Sequence, residues 1–159
     1  MDFLKKEILI IGCGNILLGD EGIGVWVIRE LMKMKSKLPP NIELLDGGTQ
    51  GLELIYYIKE ADRVFIIDAV RAYGEGGEIY RFTPSSYEEK ICALGKFSSH
   101  DVGLEEIFNI MRQLGIEKEI IIFGIEPYEI ELNMGLSRRM RKKIPKILGV
   151  ILEEVRCTN

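Results

Sequence analysis

Three side chains of this 159-residue sequence could together bind a metal ion. Glu21, Asp68 and His100 lie in three separate connections between apolar segments. Two carboxylates and one imidazole suit a divalent first-row metal and leave coordination positions for water or a substrate. By intrinsic affinity, nickel and zinc would displace manganese or iron from this ligand set. Each residue also has a simpler role available, as a turn or surface residue, so the chemistry depends on whether the fold brings the three together.

Glu21 lies in a glycine-rich connection between an apolar segment and an amphipathic one. Five glycines fall within residues 12–24. The position of the third glycine in a dinucleotide-binding loop holds Leu17, and the residue after Gly19 is Asp20 rather than the lysine of a phosphate-binding loop. Two adjacent acids would repel phosphate and favour a positively charged ligand. The alternative is that Asp20 and Glu21 only complement the positive end of a helix.

The elements that position these residues are predicted from hydrophobic periodicity. Short apolar or alternating runs predict five strands, at 9–11, 42–45, 64–67, 78–82 and 119–124. Helical spacing of apolar residues predicts four helices, at 25–32, 52–58, 104–111 and 140–155. Alternation of strands and helices predicts an α/β fold, a three-layer α/β/α domain over residues 1–159 with a twisted, mainly parallel five-stranded sheet. The fourth strand is expected at an antiparallel edge.

Several details follow from the same patterns. Residues 83–99 are expected to be irregular apart from a helical turn near 87–94, and Ser137 is expected to cap the last helix. Pro145 should kink that helix without dividing it. Because carboxyl ends of parallel strands share one edge of a sheet, Glu21 and Asp68 should meet there, together with His100 from its long connection. Asp46, which precedes two glycines after the second strand, is either a site residue or a turn residue.

Composition excludes several classes of function. The net charge of -4 leaves no basic footprint for nucleic acid, and the cluster of cations at 138–143 is expected to be a solvated helix face. Three widely spaced cysteines suggest neither a disulfide framework nor a thiolate zinc site, so a cytoplasmic location is expected. No apolar segment predicts a membrane span or signal peptide.

A serine hydrolase is a weaker interpretation of the segment around His100. Ser98, Ser99, His100 and Asp101 are neighbours in sequence, and sequence neighbours rarely point at one another as a catalytic triad requires. The chain also lacks a G-x-S-x-G nucleophile elbow.

Taken together, the motifs resemble the nickel–iron hydrogenase maturation endopeptidases. The resemblance rests on GCGNILLGDEGIGV at 12–25, LDGGT at 45–49, IDA at 67–69, SSH at 98–100 and GIEP at 124–127. It extends over nearly the whole chain. It implies that Glu21, Asp68 and His100 bind the metal, and it implies a less secure catalytic role for Asp46.

The resemblance also implies a function. A cytosolic endopeptidase would remove the C-terminal extension of a hydrogenase large-subunit precursor after nickel insertion, with the nickel carried by the precursor and with zinc or cadmium able to substitute. Attack by a metal-activated water is the simplest route to hydrolysis. A monomer is expected, with no nucleic acid or membrane partner. Two alternatives stay open: a nickel-dependent chaperone that does not cleave, and a nucleotide-binding regulatory domain, which the acidic loop disfavours.

Overall fold

The computed structural model describes residues 7–94 and 103–158. The strands are β1 (Ile8–Cys13), β2 (Ile42–Gly48), β3 (Arg63–Ala69), β4 (Ile79–Phe82) and β5 (Glu119–Ile125). The α-helices are α1 (Ile23–Lys33), α2 (Leu54–Ile58), α3 (Pro84–Leu94), α4 (Leu104–Gln113) and α5 (Arg138–Thr158). A 3-10 turn at Gly19–Gly22 leads directly into α1.

The strands form one sheet in the order β2-β1-β3-β5-β4. All neighbours are parallel except β4, which pairs antiparallel with β5 at the edge. This confirms the predicted sheet and its antiparallel edge strand. Register places Cys13 opposite Gly48 and Asp68 opposite Gly124, so the ends of the four parallel strands lie along one edge.

Helices cover both faces of the sheet because alternate strand residues are apolar on each side. On one face, the side chains of Ile10, Phe65 and Phe123 pack beneath α1 and α5, and the two phenylalanine rings stack at 6.1 Å. On the other face, Ile11 and Ile66 pack with residues of α2, α3 and α4. The three-layer prediction is therefore confirmed.

Three local predictions were wrong. Helix α2 buries Leu54 and Ile58, whereas Leu52 and Tyr56, which the periodicity had placed inward, are 44% and 69% exposed. Met32 of α1 is likewise exposed. Residues 84–94 form a full helix rather than a single turn in an irregular connection, and only Tyr87 of this helix is buried. The apolar residues of this helix are not concentrated on one face, so its sequence carries little amphipathic signal.

The last helix is undivided, as predicted, while the kink at Pro145 stays a prediction. Helix α5 runs continuously from Arg138 to Thr158 with Pro145 inside it. The Ser137 hydroxyl accepts a hydrogen bond from the Met140 N–H at 3.2 Å, as expected of an N-cap. No helix among residues 7–94 and 103–158 combines the length and the apolar character needed to cross a membrane.

The start of α1 lies unusually close to the sheet because two glycines face each other. A Cβ added at Gly24 would lie 2.1 Å from the Ile67 carbonyl oxygen and 2.2 Å from the Cys13 carbonyl oxygen. A Cβ at Gly12 would lie 2.1 Å from the Gly24 carbonyl oxygen. The obstacles are backbone atoms, so no side-chain movement could make room. This contact fixes where the chain enters α1, and therefore where Glu21 lies.

We expect Gly24→Ala to destabilise the protein by about 3 kcal/mol or more, because the methyl group must displace the backbone of β1 or β3. Gly149→Ala is the matched control. Gly149 lies in α5, and a Cβ added there would meet no heavy atom within 4 Å, so alanine should stabilise the protein by about 0.5 to 1 kcal/mol through helix propensity. Urea unfolding of both variants checks this, and equal stability of the two would contradict the close contact.

Candidate active site

A cavity of about 660 Å³ opens at the carboxyl edge of the sheet, on the side of α3 and α4. It is lined by the ends of β1, β2 and β3, by the loop after β5 and by residues of both of these helices. Its ionisable lining side chains are Cys13, Glu21, Asp68, Arg71, Tyr87, Glu105 and Glu106. Four acidic side chains against one guanidinium give the cavity an excess of acids, which favours a cationic ligand.

Glu21 reaches the cavity from the 3-10 turn that follows the glycine-rich connection. Its Oε2 accepts a hydrogen bond from the Asn15 N–H, within the same connection. Gly14 permits this compact fold because its φ of +134° is a conformation that other residues rarely adopt. A Cβ at Gly14 would also lie 2.2 Å from the Glu21 carbonyl oxygen. The glycines therefore hold the connection close around Glu21.

Asp68 enters the same cavity from the end of β3. Its Oδ1 accepts a hydrogen bond from the Ala69 N–H at 2.9 Å. Burial, with a further contribution from the Glu21 carboxylate, raises the pKa of Asp68 from 3.8 to about 8, although the Ala69 N–H acts in the opposite direction. Glu21 and Asp68, 47 residues apart in sequence, are thus brought together as the sequence predicted.

The structure does not bring Asp46 into this cavity. Strand residues alternate between faces, and Asp46 follows Leu44 onto the face covered by α1 and α5. There its Oδ2 accepts from the Arg29 Nε at 3.3 Å. Asp68 lies on the other face, with Ile66. The two glycines after Asp46 nevertheless lead to the cavity, which Gly48 lines.

His100 lies outside the residues that the structure describes. The nearest described cavity residues on either side of it along the chain are Ile91 of α3 and Gly103 at the start of α4. Within residues 7–94 and 103–158, no group of three His, Cys, Asp or Glu side chains is arranged to hold a metal ion. The three-residue metal site therefore stays a prediction. The structure shows that two of its residues, Glu21 and Asp68, line one cavity.

Two further cavity residues are held in their neutral forms. Burial, with smaller contributions from Asp68 and other carboxylates, raises the pKa of the Cys13 thiol well above its ordinary value. A buried thiol of this kind is a poor nucleophile. Burial and the Asp68 carboxylate also raise the pKa of Tyr87, whose ring meets Phe82 and Phe108 edge-on. The Tyr87 hydroxyl therefore remains a hydrogen-bond donor at neutral pH.

Asp20, next to Glu21, has an entirely different role, which the sequence patterns did not predict. Its carboxylate is fully buried. Oδ2 accepts from the N–H groups of Tyr128 and Glu129 at 3.0 Å each and from the Ser137 hydroxyl at 2.8 Å, and Oδ1 accepts from the Ser137 N–H at 2.7 Å. Asp20 thus joins the glycine-rich connection to the loop after β5. The one sequence signal was the capping serine, which indicates a helix start but not its distant partner.

Backbone hydrogen bonds reinforce this junction. The Asp20 N–H donates to the Glu129 carbonyl oxygen at 3.0 Å, and the Gly19 N–H donates to the Asn133 carbonyl oxygen at 2.9 Å. The Asn133 N–H donates in return to the Leu17 carbonyl oxygen at 3.0 Å. The two loops therefore form one rigid rim on this side of the cavity, which Pro127 and Ile130 line.

The fold and the site define a class of protein. It is a three-layer α/β protein with a carboxylate-rich cavity beyond the parallel strands, the usual location of sites in such sheets. Among the described cavity residues there is no activated cysteine, and the glycine-rich connection carries acids where a phosphate site needs cations. These features favour a cation-dependent enzyme over a nucleotide-binding domain.

Comparison with known proteins gives the family. The family model described as hydrogenase maturation protease (HycI) matches residues 25–154. The chain belongs to the hydrogenase maturation protease family, which confirms the resemblance seen in the sequence. It is therefore a protease rather than a chaperone that does not cleave.

Individual relatives agree with this assignment. The hydrogenase 2 maturation protease of Escherichia coli is 32% identical over 153 residues, covering 94% of this chain and 91% of its own length. A hydrogenase expression/formation protein of Bradyrhizobium diazoefficiens is 35% identical over 127 residues, 79% of this chain; the match spans only 65% of that relative. The solved structure of the hydrogenase maturating endopeptidase HybD from E. coli superposes with a TM-score of 0.80 at 30% identity, over 94% of this chain and 92% of that one.

We expect Asp20→Ala to destabilise the protein by about 3 to 5 kcal/mol, because three backbone N–H groups and one hydroxyl lose a buried charged acceptor. Ser137→Ala is the matched control and should cost only about 1 kcal/mol, since it removes the cap and one of the four donors. Urea unfolding compares the two variants. If Asp20→Ala costs no more than Ser137→Ala, the carboxylate does not hold the junction.

Asp68 should make the stability of the metal-free protein depend on pH. Between about pH 4 and pH 8 the folded protein keeps the Asp68 proton that the unfolded chain releases, so rising pH favours unfolding across this window. Asp68→Asn has no proton to release, so its stability relative to wild type should increase with pH and level off above about pH 8.

The Glu21→Gln variant separates the two causes of the raised Asp68 pKa, which are burial and the Glu21 charge. Removing the Glu21 charge should lower the pKa of Asp68 in the folded protein, so the pH range over which stability falls should end at a lower pH. The range should not disappear, because burial contributes most to the raised pKa. Urea unfolding in a chelating buffer at several pH values measures all three proteins. Parallel stability profiles for wild type and Asp68→Asn would contradict the raised pKa.

Proposed function

We propose that the chain removes the C-terminal extension from the precursor of a hydrogenase large subunit after nickel insertion. The observation that carries the proposal is the convergence of the Glu21 and Asp68 carboxylates in one acidic cavity, in a chain of the hydrogenase maturation protease family. The relatives are named for hydrogenase maturation or hydrogenase expression and formation, which supports the substrate class.

On this proposal the nickel ion arrives as part of the precursor, and Glu21, Asp68 and His100 recognise it. The donor chemistry fits a cation. Glu21 and Asp68 lie close enough for the charge of one to raise the pKa of the other, and a divalent ion between them would turn this repulsion into attraction. Zinc or cadmium, if loaded in the same position, would find the same ligands.

The remaining cavity residues then have defined tasks. A bound divalent ion can polarise a peptide carbonyl and acidify water, so the chain itself need not supply a nucleophile. The protonated Tyr87 hydroxyl can donate a hydrogen bond to a substrate carbonyl, and the loop with Pro127 and Ile130 borders the path of an extended peptide. Asp46, bound to Arg29 on the opposite face, would act on the site only by positioning the connection through Gly48.

The number of domains, the oligomeric state and the location of the protein are part of the proposed function. We infer one domain over residues 1–159 that works as a monomer in the cytoplasm. In support, the apolar clusters on both faces pack against a single sheet, and the three cysteines are free. A reducing compartment is consistent with free thiols.

Glu21→Gln, Asp68→Asn and His100→Ala should each fold and should each cleave nickel-loaded precursor about 100-fold more slowly or worse, because each removes one ligand from a small set. Asp46→Asn should retain nickel binding. Glu60→Gln, which alters an exposed carboxylate at the opposite edge of the sheet, is the matched control and should cleave like wild type. Intact-mass spectrometry of the precursor measures the single cut, and circular dichroism checks folding.

Apo precursor, nickel-loaded precursor and casein should be compared with equal amounts of enzyme. We expect only the nickel-loaded precursor to lose its extension. Equal cleavage of apo and loaded precursor would overturn recognition through nickel while leaving the protease assignment intact. Binding of loaded precursor without any cleavage would overturn the proposed reaction.

A further inference from the structure

The first half of α5 carries a concentration of positive charge that nothing in the described protein neutralises. Six of the nine residues from 138 to 146 are lysine or arginine, and no aspartate or glutamate occurs between Glu131 and Glu153. Arg138, Lys142 and Lys146 are exposed and follow one another at i, i+4 and i+8, so they form one stripe along the helix. Among the described residues no carboxylate forms an ion pair with any of these three.

This arrangement is unfavourable for the helix itself. The N-terminal end of a helix carries partial positive charge, so acids are preferred there, yet the first turn of α5 contains none. The acids Glu153 and Glu154 lie instead in the second half, which reverses the order that the dipole favours. Like charges spaced four residues apart repel as well. A feature that costs helix stability needs another explanation, and an acidic binding partner supplies one.

A second row of α5 cations, Arg139 and Lys143, lies beside this stripe and contacts the loop that borders the cavity. The Arg139 guanidinium lies 4.4 Å from the centre of the Tyr128 ring. A Cβ at Gly77 would lie 2.6 Å from the Tyr128 hydroxyl and 3.0 Å from Lys143 Cε, so these groups meet in one place. Pro127, the residue before Tyr128, lines the cavity. The start of α5 is therefore close to one border of the cavity, within reach of a macromolecule whose peptide tail enters it.

We propose that the basic face of α5, formed by Arg138, Arg139, Lys142, Lys143 and Lys146, docks an acidic protein surface next to the extension that is cleaved. The inference rests on the proposed function and identifies how the enzyme holds the body of its substrate. The partner surface carries several carboxylates within about 12 Å, the length of the Arg138 to Lys146 stripe. Opposite charge on the two surfaces speeds encounter and fixes orientation before the tail reaches the site.

A nucleic acid fits the surroundings less well. The acidic cavity with Glu21, Asp68 and Glu105 opens at the edge of the sheet where α5 begins and would repel a phosphate backbone that extended towards it. The net charge of the whole chain is also negative. The basic face is therefore suited to an acidic protein surface of limited extent.

The test is a combined Arg138→Ala, Lys142→Ala and Lys146→Ala variant acting on nickel-loaded precursor. We expect KM, and the Kd measured by biolayer interferometry, to rise about tenfold at about 50 mM NaCl, with kcat unchanged and with a smaller effect at about 300 mM NaCl. The control variant Lys33→Ala, Lys37→Ala and Lys59→Ala makes the same change in net charge with exposed lysines at the opposite edge of the sheet, and should bind like wild type. A variant with arginine at 142 and 146 keeps the charge and should also bind like wild type.

Thermal unfolding separates docking from a structural role. Alanine relieves the repulsion within α5, so the Tm of the triple variant should stay equal or rise while its affinity falls. Unchanged Kd, or equal losses in both triple variants, would overturn the proposal. A second result would also overturn it: the triple variant loses binding of a fluorescent single-stranded RNA that wild type binds, while its affinity for the precursor is unaffected. If wild type binds the precursor through this face but does not cleave it, the proposed reaction fails and the docking surface stands.

Discussion

The buried carboxylate of Asp20 is the constraint on which the site depends. A buried charge without a cation is tolerated only when hydrogen bonds replace its lost hydration, and here four donors come from Tyr128, Glu129 and Ser137. These donors lie more than 100 residues away in sequence, so the charge is satisfied only when the chain is folded. One interaction therefore sets three features: the position of Glu21, the rim of the cavity and the first residue of α5.

The sequence predicted the sheet well because its signals are local. Runs such as Leu9 to Ile11 are apolar on both faces, as strands of a covered parallel sheet must be. The errors also have local causes. Helix α3 does not concentrate its apolar residues on one face, so its period does not stand out. Tyrosines in α2 count as apolar in a pattern while their rings lie in solvent.

The candidate site was predicted only in part, for a physical reason. Motif and topology were enough to bring Glu21 and Asp68 to one edge of the sheet. They could not say which face each acid occupies, which depends on register, and this separates Asp46 from Asp68. They also could not distinguish Asp20 from Glu21, two adjacent acids, because the difference lies in contacts with a loop more than 100 residues away.

The contrast between Asp20 and Asp68 argues that Asp68 is kept for function. Asp20 is fully buried and the fold surrounds it with four donors, whereas the half-buried Asp68 accepts, among the described residues, from the Ala69 N–H alone. The fold then places the Glu21 carboxylate nearby, which raises the pKa of Asp68 further. A protein selected only for stability would separate two such acids or supply donors. Two carboxyl groups that face one cavity are instead an arrangement that a cationic ligand would stabilise, because a bound cation would compensate the charge of both.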